Sequence, residues 1–131
     1  MNHDAILTGC SVLLVEDESL VSMMAEDALL DAGCEVLLAM RLQEGLAVCA
    51  TANIDFAILD VNLGGGILSY PIAAELQRRG IPFLFATGYA ATELAADYAL
   101  SPVIEKPYTP RELLDAAHGL LTGTAAVPTP R

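Results

Sequence analysis

The 131 residues carry a net charge of −11, which opposes binding to nucleic acid or an anionic membrane, because phosphate contacts need a basic face. The length suits one domain with a real core and is too short for two. No apolar run approaches the roughly 20 residues that cross a bilayer, and the start, Met1-Asn2-His3-Asp4, lacks the basic segment of a secretory signal, so the expected compartment is cytoplasmic.

From about residue 10 to residue 121 the pattern alternates between strand and helix. The first strand is expected at Ser11 to Val15. Ser19 is placed to cap a first helix, whose stripe Val21, Met24, Ala25 and Ala28 has helical spacing, and Gly33 stops it. Glu35 to Ala39 reads as a second strand, Leu42 to Cys49 as a second helix and Phe56 to Leu59 as a third strand. A loop with Gly64-Gly65-Gly66 follows.

Ser69 is placed to cap a third helix with Pro71 in its first turn, and Gly80 ends it. Pro82 precedes a fourth strand at Phe83 to Ala86. A fourth helix is expected from about Thr92 to Tyr98, and a short fifth strand at Val103 to Ile104. Thr109-Pro110-Arg111-Glu112 reads as a capping box with proline in first position. It opens a fifth helix with the stripe Leu113, Ala116, Ala117 and Leu120. A single folded domain is set at residues 1–121. The tail 122–131, rich in Gly, Thr, Ala and Pro, is expected to be disordered.

Five strands alternating with helices imply an α/β fold with a parallel sheet covered on both faces. At this size, right-handed crossovers favour the flavodoxin-like strand order 2-1-3-4-5. Ligands in such folds sit at the carboxyl ends of the strands, where this chain places its polar residues. Glu16 and Asp17 follow the first strand, Asp60 the third, Thr87 the fourth and Lys106 the fifth. Three carboxylates, a hydroxyl and an ammonium therefore converge on one edge. Hard oxygen ligands suit Mg²⁺, a carboxylate can act as a nucleophile toward phosphorus, and the ammonium offsets the charge of an incoming phosphoryl group. A bound divalent cation inverts the local field, so the acidic balance does not exclude a phosphoryl ligand.

Taken singly, each of these residues has a plainer reading. Glu16-Asp17-Glu18 is also a solvated first turn favoured by the helix dipole, Asp60 a turn residue, Thr87 a loop start, Lys106 a surface lysine and Pro107 a stop. Their order at successive strand ends is the stronger signal. Cys10, Cys34 and Cys49 are odd in number and scattered, which argues against disulfides or zinc and for buried thiols. There is no GxGxxG or Walker-type glycine loop for a nucleotide.

Leu14-Val15-Glu16-Asp17-Glu18, the strand-ending Asp60, Thr87 before a small residue, and Lys106-Pro107 together resemble a response-regulator receiver domain, CheY-like, over about residues 10 to 121. Phe85-Ala86-Thr87-Gly88-Tyr89 resembles the narrower "FAT GUY" receivers, mostly single-domain regulators of alphaproteobacteria, and Asp60-Val61-Asn62-Leu63-Gly64-Gly65 and Ile81-Pro82-Phe83 fit the same group. The resemblance implies Asp60 as phosphoacceptor and Mg²⁺ held by Glu16, Asp17, Asp60 and the backbone carbonyl of Asn62. It implies phosphoryl contacts from Thr87 and Lys106. The implied donor is a sensor histidine kinase or a histidine phosphotransfer protein. The chain is expected to be a monomer or weak dimer, without nucleic acid, and not an enzyme beyond self-catalysed phosphotransfer and autodephosphorylation. With no output domain, the signal would leave by protein contact or as a phosphate sink.

Two positions depart from the family pattern. Leu63-Gly64-Gly65-Gly66 stands where receivers carry Met-Pro, and Val103 stands where they carry Tyr or Phe. Tyr89 or Tyr108 is then the candidate to take over the aromatic's role, with packing the favoured reading of Tyr108. The alternatives are a pseudo-receiver that binds partners without taking phosphate, and a Mg²⁺-dependent aspartyl-phosphate phosphatase. The latter lacks its general acid, because Asn62 occupies the second position after Asp60.

Overall fold

The computed structural model describes residues 4–88 and 94–123. In chain order these form α1 (Asp4–Leu7), β1 (Ser11–Val15), α2 (Ser19–Asp31), β2 (Glu35–Ala39), α3 (Leu42–Thr51) and β3 (Phe56–Asp60). Then come α4 (Tyr70–Arg79), β4 (Phe83–Thr87), a 3₁₀ turn (Ala96–Tyr98), β5 (Val103–Glu105) and α5 (Pro110–Thr122). The strands lie parallel in the order β2-β1-β3-β4-β5, the doubly wound arrangement expected from the sequence.

The two-residue period of a strand sends alternate side chains to opposite faces. Val12, Leu14, Phe56, Ile58, Leu84 and Ala86 fill one core with α2 and α5. Leu13, Val15, Ala57, Leu59, Phe83 and Phe85 fill the other with α3, α4 and the 3₁₀ turn. Every residue of β3 and β4 is buried, which is why both read as unbroken apolar runs. The outer strands β2 and β5 are only partly covered.

Helix ends differ from expectation in instructive ways. The Thr109–Glu112 capping box is present in full, with Glu112 N–H donating to Thr109 Oγ1 at 3.1 Å and Thr109 N–H donating to Glu112 Oε1 at 2.9 Å. The cap of α2 is Glu18 rather than Ser19, and it makes no side-chain cap bond. Ser69 does sit at the cap of α4, but its hydroxyl makes no cap bond. That hydroxyl is buried without a hydrogen-bond partner among the described residues. The first turn of α4 is anchored by the backbone instead, through Ile72 N–H to the Ser69 carbonyl at 2.9 Å.

The expected fourth helix is a single 3₁₀ turn in its described part, and Thr92 lies outside the described residues. The backbone of Ala95, with φ −55° and ψ 148°, is not helical and interrupts the expected helix, and its N–H donates to the Tyr70 hydroxyl at 2.9 Å. Helix α5 runs on through Thr122 and closes on Gly123, one residue past the expected start of the tail. The short α1, which was not expected, seats Leu7 in the α2–α5 core.

Candidate functional site

Parallel pairing aligns the strand ends. Val15 lies beside Leu59, Asp60 beside Ala86 and Thr87 beside Glu105, so β1, β3, β4 and β5 finish at one edge. The residues just past or at those ends line a cleft of about 660 Å³, formed by Asp17, Asp60, Asn62, Thr87 and Lys106 among others. Glu16 lies beneath it, 1 % exposed. All the site residues anticipated from the sequence are thus brought together.

The carboxylates of Glu16, Asp17 and Asp60 each offer an oxygen within 4.8 Å of the others. Glu16 and Asp60 are buried and Asp17 is half-buried. Lys106 holds the cluster. Its Nζ donates to Asp60 Oδ2 at 3.1 Å, to Glu16 Oε2 at 3.2 Å and to Glu18 Oε1 at 2.8 Å. An ammonium has three N–H donors, so all three are engaged. Lys106 directly follows β5, its own N–H donates to the Thr87 carbonyl at 2.8 Å, and a cis peptide joins it to Pro107.

The loop after β3 folds back on the strand. Asn62 N–H reaches Asp60 Oδ1 at 3.4 Å, and Gly64 N–H donates to Asn62 Oδ1 at 2.9 Å. Asn62 bridges Leu68, and Ser69 N–H donates to the Val61 carbonyl at 3.0 Å. Gly64, Gly65 and Gly66 all take positive φ, at 88°, 59° and 79°, a conformation that suits glycine. Gly64 also approaches Asp17 closely, since a Cβ there would meet Asp17 Oδ2 at 3.3 Å.

Electrostatics follow from burial. Burial, then hydrogen bonding with Glu16 and repulsion by its charge, push the Asp60 carboxyl up to about 8, although Lys106 pulls the other way. Burial also opposes the charge on Lys106, but the Glu18 hydrogen bond and the fields of Asp60 and Glu16 overcome it and hold the ammonium above its usual range. Two buried acids facing one lysine leave excess negative charge, which is the condition that favours a divalent cation with hard oxygen ligands. The donor set fits Mg²⁺: Glu16, Asp17 and Asp60, with Asn62 on the cleft wall.

Thr87 is buried at 1 % exposure and lines the cleft. Tyr108 packs in the α2–α5 core, and burial, followed by the charge of Glu16, pushes its phenol up to about 12. Tyr89 lies outside the described residues. Val103 packs in part against the α3–α4 core. The sequence reading did not single out two groups. Glu18 was seen only as part of an acidic run, and its partner Lys106 is 88 residues away. Tyr70 binds Ala95 and Tyr98, 25 and 28 residues away, and no local pattern announces those contacts.

Comparison with known proteins agrees with this geometry. The model of the response regulator receiver domain matches residues 12–118. Among solved structures, SdrG from Sphingomonas melonis Fr1 is 40 % identical, with 86 % of this chain and 97 % of that chain covered and a TM-score of 0.73. A BeF3-activated conformation of SdrG, assigned to Pseudomonas melonis Fr1, is 41 % identical over 85 % of this chain and 95 % of that one, with a TM-score of 0.71. The chemotaxis response regulator CheY4 of Vibrio cholerae is 27 % identical, covering 86 % of this chain and 99 % of that chain, with a TM-score of 0.75. No curated protein matches the chain. With the family model spanning most of its length and an acidic cleft at the ends of a 2-1-3-4-5 sheet, the chain belongs to the response regulator receiver domain family.

Proposed function

We propose that the protein accepts a phosphoryl group from phosphohistidine on a sensor histidine kinase or a histidine phosphotransfer protein, onto Asp60. The observation that carries this reading is the placement of the Asp60 carboxylate: buried at 4 % exposure, 3.1 Å from the Lys106 ammonium, at the floor of a cleft lined by Thr87. An Asp60 oxygen attacks phosphorus as the donor N–P bond breaks, and the imidazole leaves with that bond's electron pair. Lys106 stays charged throughout and offsets the phosphoryl oxygens. Thr87 stands on the neighbouring strand, in position to donate its hydroxyl to one of them. Mg²⁺, held by Glu16, Asp17, Asp60 and the Asn62 carbonyl, would supply charge neutralisation and orient the phosphoryl group.

This is signalling chemistry, one self-catalysed transfer followed by autodephosphorylation, rather than turnover of a substrate. The phosphorylated chain would act by protein contact or by draining phosphate from a shared kinase. In the described residues no helix is long and apolar enough to cross a membrane, and the proposed compartment is the cytoplasm. The solved BeF3-activated form of a 41 % identical relative supports the reading.

Intact mass after incubation with Mg²⁺ and a small acyl phosphate, wild type against Asp60→Asn, tests it. One labile phosphoryl group on wild type alone is the expected result. No gain from the acyl phosphate or from phosphohistidine donors would make the chain a pseudo-receiver, and a gain on an aspartate of Asp60→Asn would displace Asp60 from its role.

A further inference from the structure

The loop that leaves Asp60 ends on an aromatic residue with unusual connections. Tyr70 opens α4 directly after the anchored segment from Val61 to Ser69. Its hydroxyl accepts the Ala95 N–H at 2.9 Å. Its ring stacks on Tyr98 with centroids 5.1 Å apart and planes 5° from parallel. It also meets the edge of Phe85 at 5.7 Å, and Phe85 stands two residues before Thr87 on β4. Tyr98 completes the group, with Phe85 at 5.5 Å and with its hydroxyl 3.5 Å from the Tyr70 carbonyl.

These contacts have a direction. The backbone of Tyr70 is tied to Asp60 through three links: Asn62 N–H to Asp60 Oδ1, the Asn62–Leu68 bridge, and Ser69 N–H to the Val61 carbonyl. The tip of Tyr70 holds the amide that begins the 3₁₀ turn. The Ala95 N–H is thereby held by a side chain 25 residues away in the sequence. The ring is half-buried and flat against Tyr98, so a shift of the loop cannot leave the turn behind without unstacking the pair. Aromatic pairs of this kind attract beyond the area they bury. Val103, on the far side of Phe85 in the β4–β5 register, carries no ring to do the same.

We infer that Tyr70 is the positioning residue that carries the state of the Asp60 loop to the Leu94–Ser101 segment, through its hydroxyl bond to Ala95 and its stack on Tyr98. The inference rests on Asp60 being the phosphoacceptor, and the test separates the two. Tyr70→Phe removes the hydroxyl and keeps the ring, so the core stays filled. Backbone amide shifts of the full chain would be recorded with Mg²⁺, then with Mg²⁺ and beryllofluoride as a phosphoryl mimic.

In wild type, the mimic should move the amides of Asp60 and Thr87 and also those from Ala95 to Ser101. In Tyr70→Phe, the midpoint of the beryllofluoride titration should stay within twofold of wild type, while the shifts from Ala95 to Ser101 fall by half or more. Tyr98→Phe, which gives up only the long 3.5 Å contact, should keep the wild-type response. Full shifts from Ala95 to Ser101 in Tyr70→Phe would overturn the inference, and so would an equal loss in Tyr98→Phe, which would assign the effect to packing. Wild-type shifts confined to Asp60 and Thr87 would sink the inference and leave the phosphoacceptor reading standing. No response at Asp60 would remove both.

Discussion

Asp60 and Glu16 share one lysine while both lie buried. In the cation-free chain this arrangement has a thermodynamic sign. The Asp60 carboxyl rises from an ordinary 3.8 to about 8 on folding. Between those values the folded chain holds a proton that the unfolded chain has released. Its contribution to stability is therefore fully present below the lower value and is lost as pH rises through the upper one. Asp60→Asn removes this loss and leaves Lys106 paired with Glu16 and Glu18. Thermal melts in EDTA should find the variant more stable than wild type at pH 8, with the gap closing toward pH 4. A variant that melts lower across the whole range would mean that the Asp60–Lys106 bond outweighs the clash. At this scale the sequence was legible wherever a polar residue closes a buried strand, because apolar neighbours on both sides leave such a residue only the site to face. Glu18 was not legible in its role, since only the fold brings it to Lys106.

Capping shows how the same residue type acquires opposite value in two elements. Thr109 opens α5 with its hydroxyl bonded to Glu112 N–H, and Thr109→Ala should cost about 1 kcal/mol. Ser69 precedes α4 in a position that reads equally well, yet its hydroxyl is buried and unbonded among the described residues. Removing a buried unsatisfied polar group is neutral or favourable, so Ser69→Ala should leave stability unchanged or raise it by up to about 1 kcal/mol. Urea midpoints of the two variants would check the pair, and a comparable loss in both would restore Ser69 as a true cap. The strands were read to within a residue, β3 and β4 because burial on both faces writes a continuous apolar run. Helix ends and the 3₁₀ turn were read less well. They depend on partners such as Tyr70 that periodicity does not reveal.

Seventeen acids against six basic residues make the whole molecule self-repelling at neutral pH. Among the described residues, ion pairs join Glu75 to Arg78 on the surface of α4 and Lys106 to Glu16, Glu18 and Asp60. Exposed pairs contribute about 0–1 kcal/mol each, too little to offset the excess. Monovalent salt shortens the screening distance to about 10 Å at 0.1 M. Raising NaCl from about 0.02 M to that level should therefore increase the Tm of the chain in EDTA, while a neutral osmolyte at equal osmolality should do less. A falling Tm would place the balance with the surface pairs instead. Composition alone foretold this property, because net charge needs no fold to be counted.

At Gly64 the cleft wall carries no side chain, and the loop continues bare through Gly65 and Gly66. A protein approaching from that side meets bare peptide, and at Gly65 and Gly66 even an added methyl group would touch nothing within 4 Å. In the same loop the exposed large apolar side chains are Ile67 and Leu68, which follow the glycines. The bare stretch offers backbone and shape, and no side-chain chemistry, to whatever meets it.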